Sequence, residues 1–217
     1  MNTKWTIILT LLLAAVVLGL GLILEPQFAD PMATHWGSNG DVNGYGSRFV
    51  GIWLIPLMLI GLNGLFLIIP NIDPLKKNIA KFRKEYNGFI LVFNAFMVYV
   101  QALTLIWNTG KNFDMTTYML PALGIFIFYL GFLIGNSRRN YFIGIRTPWT
   151  LQDERVWNET HQLGAKIYKI SGLLTLVGIF FPKLILWFMM VPLLGGSFFA
   201  VVYSYVLYRR YHPNNGE

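Results

Sequence analysis

The chain contains no cysteine and little charge for its length. Among its 217 residues, 12% are Asp, Glu, Lys or Arg, and 55% are hydrophobic. Without Cys the protein has no disulfide, no thiolate nucleophile and no Cys-based metal site. A soluble domain carries about 25% charged residues, so this composition cannot cover a fully solvated surface.

The apolar residues are grouped in runs of roughly 20, the length that crosses about 30 Å of hydrocarbon as a helix. The sequence therefore predicts an all-α fold, a polytopic membrane bundle of six transmembrane helices. The predicted spans lie near residues 5–24, 49–70, 88–107, 117–136, 165–182 and 184–207. We interpret the first as a retained helix, because its apolar run exceeds the ~7–15 residues of a signal-peptide core.

The fifth span is the weakest of the six. Only thirteen residues separate Lys169 from Lys183. For this stretch to cross, Lys166 and Lys169 must extend along the helix towards the headgroups. A re-entrant hairpin is the alternative.

Lys and Arg are distributed unevenly between alternate loops. If the N-terminus lies in the cytoplasm, fourteen of the seventeen are cytoplasmic, and only Arg48, Lys111 and Lys183 lie outside. The positive-inside rule then predicts that both termini are cytoplasmic. Basic loops beside an anionic leaflet also account for the net charge of +7. The predicted partner is therefore the lipid bilayer, with no direct contact to nucleic acid.

The third span carries four amides at seven-residue intervals, Asn87, Asn94, Gln101 and Asn108. This spacing keeps them on nearly one face of a helix. One interpretation, which we favour, is hydrogen bonding between helices, with Asn63 as a partner for this face. The other is the lining of a polar path, which would make the protein a small-solute transporter or permease subunit. No ionisable residue falls at membrane depth, which disfavours ion-coupled transport.

Two cytoplasmic segments have helical patterns. In the first, apolar residues recur at helical spacing among Lys residues, and this pattern predicts an amphipathic helix at the membrane interface. The apolar residues are Leu75, Ile79, Phe82, Tyr86 and Phe89.

The second pattern follows Pro148, where the sequence Thr150 to Asp153 fits a capping box. The apolar stripe that follows predicts a helix that runs on into span five.

The segment between Glu25 and Arg48 is rich in Gly and Asn, and predicts a surface loop outside the membrane. Residues 39–44 resemble the start of a calcium loop, but Val50 stands where the bidentate Glu is required. We therefore expect no metal and no other cofactor. His35 and Trp36 are either an interfacial anchor or a contact for an extracellular ligand.

Catalysis is not expected from the sequence. The predicted topology separates His35 from His161 and His212, and no nucleophile–base pair or paired carboxylate stands out. A membrane enzyme would require Arg146, Glu159 and His161 to converge.

Two segments resemble the SdpI family of bacterial membrane proteins. The stronger resemblance rests on Asn140, Gly144, Arg146, Thr147, Pro148, Trp149, Trp157, Thr160 and His161, followed by Gly164. The weaker one, Pro31, His35, Trp36 and Gly40, is similar to a small domain of unknown function often found at the N-terminus of these proteins.

The resemblance implies a multi-pass protein of the bacterial cell membrane that gives immunity to a secreted, membrane-active peptide toxin. In some members it also implies signalling, in which a cytosolic transcriptional repressor is held at the membrane. The stronger motif is then the signature or partner-binding site, and the weaker one a ligand contact outside. Within the signature, Arg146 is the best candidate for a polar centre, because a guanidinium offers five donors. Pairing of Arg146 with phosphate headgroups or helix-terminal carbonyls is the alternative.

These assignments divide the chain in two. Residues 1–70 form a two-helix unit with the outer His-Trp loop. Residues 71–217 form a four-helix, SdpI-like region, in which the signature segment, residues 137–163, is a cytoplasmic loop.

Labelling of single introduced cysteines in intact cells tests the topology. Because of the charge asymmetry, we expect positions 40 and 112 to react from outside, and positions 80, 150 and 214 to react only after permeabilisation. Labelling of position 150 from outside would contradict a cytoplasmic signature.

Overall fold

The structure is a computed structural model that describes residues 2–181 and 184–213. Residue 182, where the predicted fifth span ends, lies outside the described residues. So do Lys183, one of the three predicted outer basic residues, and labelling position 214.

Helices account for most of the described chain. In chain order they are α1 (Thr3–Leu24), α2 (Arg48–Ile72), α3 (Lys76–Lys81), α4 (Arg83–Asn108), α5 (Met115–Asn136), α6 (Pro148–Gln152), α7 (Glu154–Val177), α8 (Ile185–Met190) and α9 (Gly196–Tyr211). Six helical stretches in the described ranges are long and apolar enough to cross a membrane: α1, α2, α4, α5, α7, and α8 with α9. The predicted helical membrane fold and its six spans are confirmed, while the side on which the termini lie stays a prediction.

Large apolar side chains remain uncovered on these helices. Ile23 on α1 is 73% exposed and Phe198 on α9 is 71% exposed. An apolar surface of this extent is stable against lipid, and a helix satisfies its own backbone N–H and C=O groups there.

The helix of the fifth span begins eleven residues before the predicted span, at Glu154 rather than at residue 165. α7 is one unbroken helix of 24 residues, about 36 Å long, and a 3₁₀ turn (Gly178–Phe180) follows it. The predicted helix that continues from the signature into the span is present, and the re-entrant alternative is wrong. Lys169 lies with Nζ 4.1 Å from the ring centre of Phe132, so its charge rests on an aromatic face.

The sixth span changes its winding midway. A π-helical turn, Val191–Gly195, joins α8 to α9. It contains Pro192, which has no N–H to donate and therefore interrupts the α-helical ladder.

The segment before α2 contains a hairpin that the sequence did not predict. β1 (Met32–Trp36) pairs antiparallel with β2 (Val42–Gly46). The turn between them closes with a hydrogen bond of 2.8 Å from the N–H of Gly37 to the carbonyl of Asp41. We predicted only a surface loop, because the many glycines of this segment are typical of turns and the apolar start of β1 is short.

The chain forms two compact units by its contacts. The first contains the residues up to Phe66 together with Ile90–Leu123, and the second contains Leu67–Phe89 with the residues from Gly124 onward. Each unit thus combines separate stretches of sequence. The predicted division at residue 70 describes sequence regions and stays a prediction.

The core of the first unit holds the start of the hairpin against α1, α2 and α4. Its buried members are Val17, Phe28, Met32, Ile52 and Leu105.

The amides of α4 cross-link the first unit. Asn94 and Asn63 exchange two hydrogen bonds, of 2.8 and 2.9 Å. The Nε2 of Gln101 donates to the carbonyl of Gly51 at 2.8 Å. Asn108 bonds both the N–H and the carbonyl of Ala33, at 2.8 and 2.9 Å. This geometry favours the packing interpretation, in which amides join helices to each other and to the hairpin.

In the second unit, α5 and α7 approach closely because of their glycines. A Cβ on Gly172 would lie 2.6 Å from the carbonyl oxygen of Gly124, and a Cβ on Gly131 would lie 2.8 Å from that of Ala165. Small residues at such contacts are the usual means of helix association in membranes.

The predicted amphipathic helix is interrupted at Phe82, and its place at the membrane interface stays a prediction. α3 ends at Lys81 and α4 begins at Arg83. Ile79, Phe82 and Tyr86 between and beside them are buried. The apolar stripe therefore packs against protein rather than lipid headgroups.

Replacement of Asn63 and Asn94 by Leu tests the role of these amides. Each single change leaves a buried amide without its partner, which costs about 1–3 kcal/mol. We expect the double replacement to destabilise by less than the sum of the two, with a coupling of about 0.5–1.5 kcal/mol. The measurement is the unfolding free energy in detergent. Strictly additive losses would show that the pair does not act as a packing contact.

Candidate functional site

The signature segment lies entirely in the second unit. It consists of a turn-rich stretch from Ser137 to Arg146, the short helix α6 and the first turns of α7.

Asn140 organises the turn. Its side chain is fully buried, and Nδ2 donates to the carbonyls of Arg138 at 2.7 Å and Ile143 at 2.9 Å. Its Oδ1 accepts from the N–H groups of Phe142 at 2.9 Å and Ile143 at 2.6 Å. All four bonds go to backbone, so this one amide fixes the course of the turn.

His161 joins the turn to α7. Its Nδ1 lies 2.7 Å from the carbonyl of Trp157, and its Nε2 lies 3.0 Å from the backbone nitrogen of Ile145. Because a carbonyl only accepts and an N–H only donates, the ring must be neutral with the proton on Nδ1. The imidazole stacks on the Trp157 ring, with centroids 3.9 Å apart.

The Trp157–His161 stack requires a glycine opposite it. Gly144 has φ of 119°, and a Cβ there would lie 2.4 Å from Nε2 of His161. Trp157 is fully buried, and its Nε1 donates to the carbonyl of Ser137 at 3.2 Å. Gly144 therefore permits both the backbone conformation and the approach of the ring.

Thr147 caps α6, and Pro148 occupies its first turn. The N–H of Thr147 donates to Oγ1 of Thr150 at 2.9 Å, and the N–H of Thr150 donates to Oγ1 of Thr147 at 3.2 Å. The predicted capping box from Thr150 to Asp153 is wrong, because Thr150 is the third helical residue rather than the cap. Pro is favoured at the first position of a helix, so α6 begins at Pro148 with Thr147 as its cap.

Asp153 is instead the cap of α7. It accepts from the N–H groups of Arg155 at 2.6 Å and Val156 at 3.2 Å, and its Oδ2 lies 3.0 Å from Nε2 of His212.

These bonds set the ionisation of Asp153. Burial raises the pKa of the carboxyl, but hydrogen bonds from the side chains of Arg155 and His212 and from two backbone N–H groups lower it from 3.8 to about 2. Since the native pKa lies below the ordinary value, the carboxylate stabilises the fold at neutral pH. That stabilisation is lost as the pH falls towards about 2.

α9, the last helix of the chain, packs on the signature segment. The hydroxyls of Thr147 and Ser204 are 3.0 Å apart, and the rings of Trp149 and Tyr205 have centroids 5.0 Å apart. Near the end of α9, the hydroxyl of Tyr211 bonds to Glu159.

The segment matches a known family. Residues 136–206 match the SdpI/YfhL protein family, and residues 7–60 match a domain of unknown function, DUF1648. Residues 136–206 are similar to that family, and they are named the SdpI/YfhL region after the match. The predicted resemblance is thereby confirmed for both segments.

A curated relative aligns along most of the chain. Over 190 residues the protein is 25% identical to "Immunity protein SdpI" of Bacillus subtilis (strain 168), an alignment that covers 87% of this chain and 89% of that protein. No solved structure matches the chain.

The SdpI/YfhL region contains the signature segment together with Ser204 and Tyr205, its partners on α9. The match therefore covers both the signature segment and the part of α9 that packs on it.

Arg146 does not have the central place in the SdpI/YfhL region that the sequence suggested. It is exposed, and among the described residues its guanidinium makes one hydrogen bond, from Nη1 to the carbonyl of Tyr141 at 2.7 Å. Asn140 and His161 are the polar centres instead. A neutral amide or imidazole can be buried at lower cost than a guanidinium, which needs more partners than this turn offers.

The three residues that a membrane enzyme would bring together have separate partners. Arg146 bonds to Tyr141, Glu159 to Tyr211, and His161 to Ile145 and Trp157. The contacts thus assign each of them to a different structural role. In the described part of the chain, no cluster of three or more His, Asp or Glu could hold a metal ion.

Two residues that hold the turn of the signature segment were not predicted from the sequence. The buried carboxylate of Asp73 accepts from the N–H of Tyr141 at 2.8 Å, and Nδ2 of Asn78 donates to the carbonyl of Arg139 at 2.8 Å. Both lie more than sixty residues before their partners, and nothing local distinguishes them from ordinary loop residues.

Thr160 and Gly164 complete the predicted set. Thr160 is fully buried, and its hydroxyl has no hydrogen-bond partner among the described residues. A Cβ on Gly164 would lie 2.5 Å from Cδ1 of Ile145, so this glycine allows the turn to rest on α7.

The predicted outer-loop contacts lie in the DUF1648 match, on and beside the hairpin. His35 is exposed and bonds through Nδ1 to Oδ1 of Asn43, and Pro31 is exposed. Trp36 is half-buried and meets Trp107 edge to face at 5.7 Å. Gly40 takes φ of 81° in the turn.

Replacement of Asn140 by Asp tests the framework. The substitution keeps size and the acceptor Oδ1, but turns two donors into an acceptor that faces two carbonyls. We expect a loss of at least about 2 kcal/mol of unfolding free energy in detergent, because two buried carbonyls lose their partner.

The control is Gln152→Glu, the same chemical change at an exposed position of α6. Equal stability of the two variants would contradict the assignment of Asn140 as the organising residue.

Proposed function

We propose that this protein is an integral membrane immunity protein that protects the cell against a secreted, membrane-active peptide toxin. The observation that carries the proposal is the SdpI/YfhL region, whose signature segment is a closed, hydrogen-bonded framework. The relative named for immunity supports it along most of the chain. The corresponding location is the bacterial cell membrane.

The predicted topology assigns the toxin and the signature segment to opposite sides of the membrane. Toxin from outside meets the hairpin, where Pro31, His35, Trp36 and Gly40 are the proposed contacts. The signature segment then either reports toxin binding to the cytosol or braces the bundle.

The exposed face of the signature segment suits a cytosolic protein. Tyr141 is 48% exposed and Phe142 is 37% exposed, and Arg138 and Arg146 beside them are also exposed. Aromatic and Arg side chains are enriched where proteins bind each other. We assign this surface to the transcriptional repressor that the family resemblance implies, with no direct contact between this protein and nucleic acid.

Protection in this proposal needs no chemical step. The side chain of Asn140 and both ring nitrogens of His161 are engaged with backbone groups. Neither has a free position with which to act as an acid, a base or a ligand. The toxin is therefore bound or excluded rather than consumed.

Transport is the second candidate, because it would use the polar face of α4. It requires a path past Asn94 and Gln101. The amide of Asn94 is bonded to Asn63, and the Nε2 of Gln101 to backbone carbonyls. These bonds favour packing, so immunity remains the better-supported function.

Expression in toxin-sensitive bacteria, followed by challenge with secreted membrane-active peptides, tests the proposal. We expect the expressing cells to survive challenge with at least one peptide that kills the same strain without the protein. The variant Arg146→Lys should lose protection at an unchanged thermal midpoint, because Lys keeps the charge but lacks the planar, multi-donor geometry that a partner would use.

The control for this variant is Lys84→Ala, at matched membrane abundance. Lys84 is exposed, and one such charge near the leaflet contributes only about 1 kcal/mol. Full protection by Arg146→Lys would make Arg146 a headgroup anchor. Arg139 is unsuitable as a control, because its Nη1 donates to the carbonyls of Leu151 and Gln152.

A further inference from the structure

The second unit contains a basic pocket where α2 gives way to α3. Its volume is about 360 Å³, within the range of ligand sites, about 300–1,000 Å³. The wall comes from the last turn of α2, from α3 and from the start of α4. The lining residues are Pro70, Asn71, Lys76, Lys77, Ala80 and Arg83. The pocket thus lies at the end of a membrane-spanning helix.

The wall carries three positive charges and no negative one. The charged lining residues are Lys76, Lys77 and Arg83, and no Asp or Glu lines the pocket. Neither lysine takes part in an ion pair with another described residue. Asp73, the acid nearest to the lysines in the sequence, is buried and accepts from two backbone N–H groups instead. The positive charge of the pocket is therefore not compensated by its own wall, and this favours an anionic ligand.

The backbone that carries the two lysines is anchored to the protein. Ile79 is fully buried, and Nδ2 of Asn78 donates to the carbonyl of Arg139 at 2.8 Å. These contacts fix α3 by its inner face, while Lys76 and Lys77 remain exposed. A site whose backbone is already ordered loses less freedom when a ligand binds.

Apolar side chains beside the pocket indicate the class of anion. Ile68 and Ile72, in the last two turns of α2, are 51% and 54% exposed. Ile68 lies three residues before Asn71, and residues three apart are neighbours on a helix surface. An anion with acyl chains can therefore place its charge in the pocket and its chains along α2. A soluble phosphate compound has nothing to place on these isoleucines.

We propose that this pocket binds the phosphate headgroup of an anionic phospholipid. Lys76, Lys77 and Arg83 neutralise the phosphate, and the acyl chains lie against the end of α2. The predicted topology assigns this end of α2 to the cytoplasmic leaflet, whose anionic lipids attract basic segments. The site differs from a diffuse attraction between loop and leaflet because it has a defined position. It does not depend on the immunity function.

Native mass spectrometry of the purified full chain measures the binding. The protein in detergent is titrated with dioleoylphosphatidylglycerol or with dioleoylphosphatidylcholine. The two lipids share their acyl chains and their phosphate, but the second adds a quaternary ammonium that the three cations repel. We expect the first phosphatidylglycerol molecule to bind at least about tenfold more tightly than phosphatidylcholine. Equal affinity for the two lipids would overturn the proposal.

Two double variants separate the pocket from the surrounding charge. Lys76→Gln with Lys77→Gln removes two lining charges, whereas Lys81→Gln with Lys84→Gln removes two exposed charges that do not line the pocket. One Lys near an anionic headgroup contributes roughly fivefold in affinity, so we expect the first pair to weaken phosphatidylglycerol binding by roughly twentyfold. The second pair should weaken it by less than about threefold, because these lysines act only from a distance. Equal losses in the two variants would indicate diffuse attraction and contradict a site.

A soluble competitor distinguishes a lipid from a free phosphate compound. Glycerophosphoglycerol is the headgroup of phosphatidylglycerol without its acyl chains. We expect it to leave phosphatidylglycerol bound when the two are present at equal concentration, because it lacks the contact with α2. If it displaces the lipid under these conditions, the pocket is a site for soluble phosphate compounds and the lipid assignment is wrong.

Discussion

A polar group that leaves water, whether for hydrocarbon or for the interior of the protein, is costly to keep without a hydrogen-bond partner. The backbone meets this requirement by forming helices. The side chains meet it in pairs, as in the two bonds between Asn63 and Asn94, or by capturing backbone groups, as Gln101 does with the carbonyl of Gly51. The same requirement shapes the signature segment, whose turn is held by Asn140 and His161 rather than by a charged residue.

This constraint explains which charges remain and where they lie. Arg146 stays on the surface with one bond, and Lys169 rests on the ring of Phe132. Asp73 is the informative exception, because it is a buried carboxylate. It accepts from two backbone N–H groups, those of Leu75 and Tyr141, which is the arrangement in which a charge can leave water at tolerable cost.

The spans were predictable because a run of about 20 apolar residues has few alternatives to a membrane helix. The continuation of the signature into α7 and the pairing of Asn63 with the amide face of α4 followed from helical periodicity. The capping of α6 and the hairpin were misjudged although each has a local sign, Thr147 before Pro148 for the cap and Asn39-Gly40 for the turn of the hairpin. The contacts of Asp73 and Asn78 were not predictable, because their partners lie far along the chain and a single sequence carries no local sign of them. The number of contacts expected of Arg146 as a polar centre was too high for a related reason. The donors of a guanidinium are known from the sequence, but the shortage of acceptors around it is not.

The contacts of α9 also set the order in which the signature segment can mature during synthesis. Ser204, Tyr205, Tyr211 and His212 all leave the ribosome after the residues they bind, which are Thr147, Trp149, Glu159 and Asp153. Until the sixth span has inserted, the N-cap of α6 lacks a neighbour and the ring of Trp149 lacks its cover. The segment therefore remains incomplete in a nascent chain and closes only when the last helix is in place. A newly made protein thus presents the finished surface of the signature segment only after the sixth span is in place.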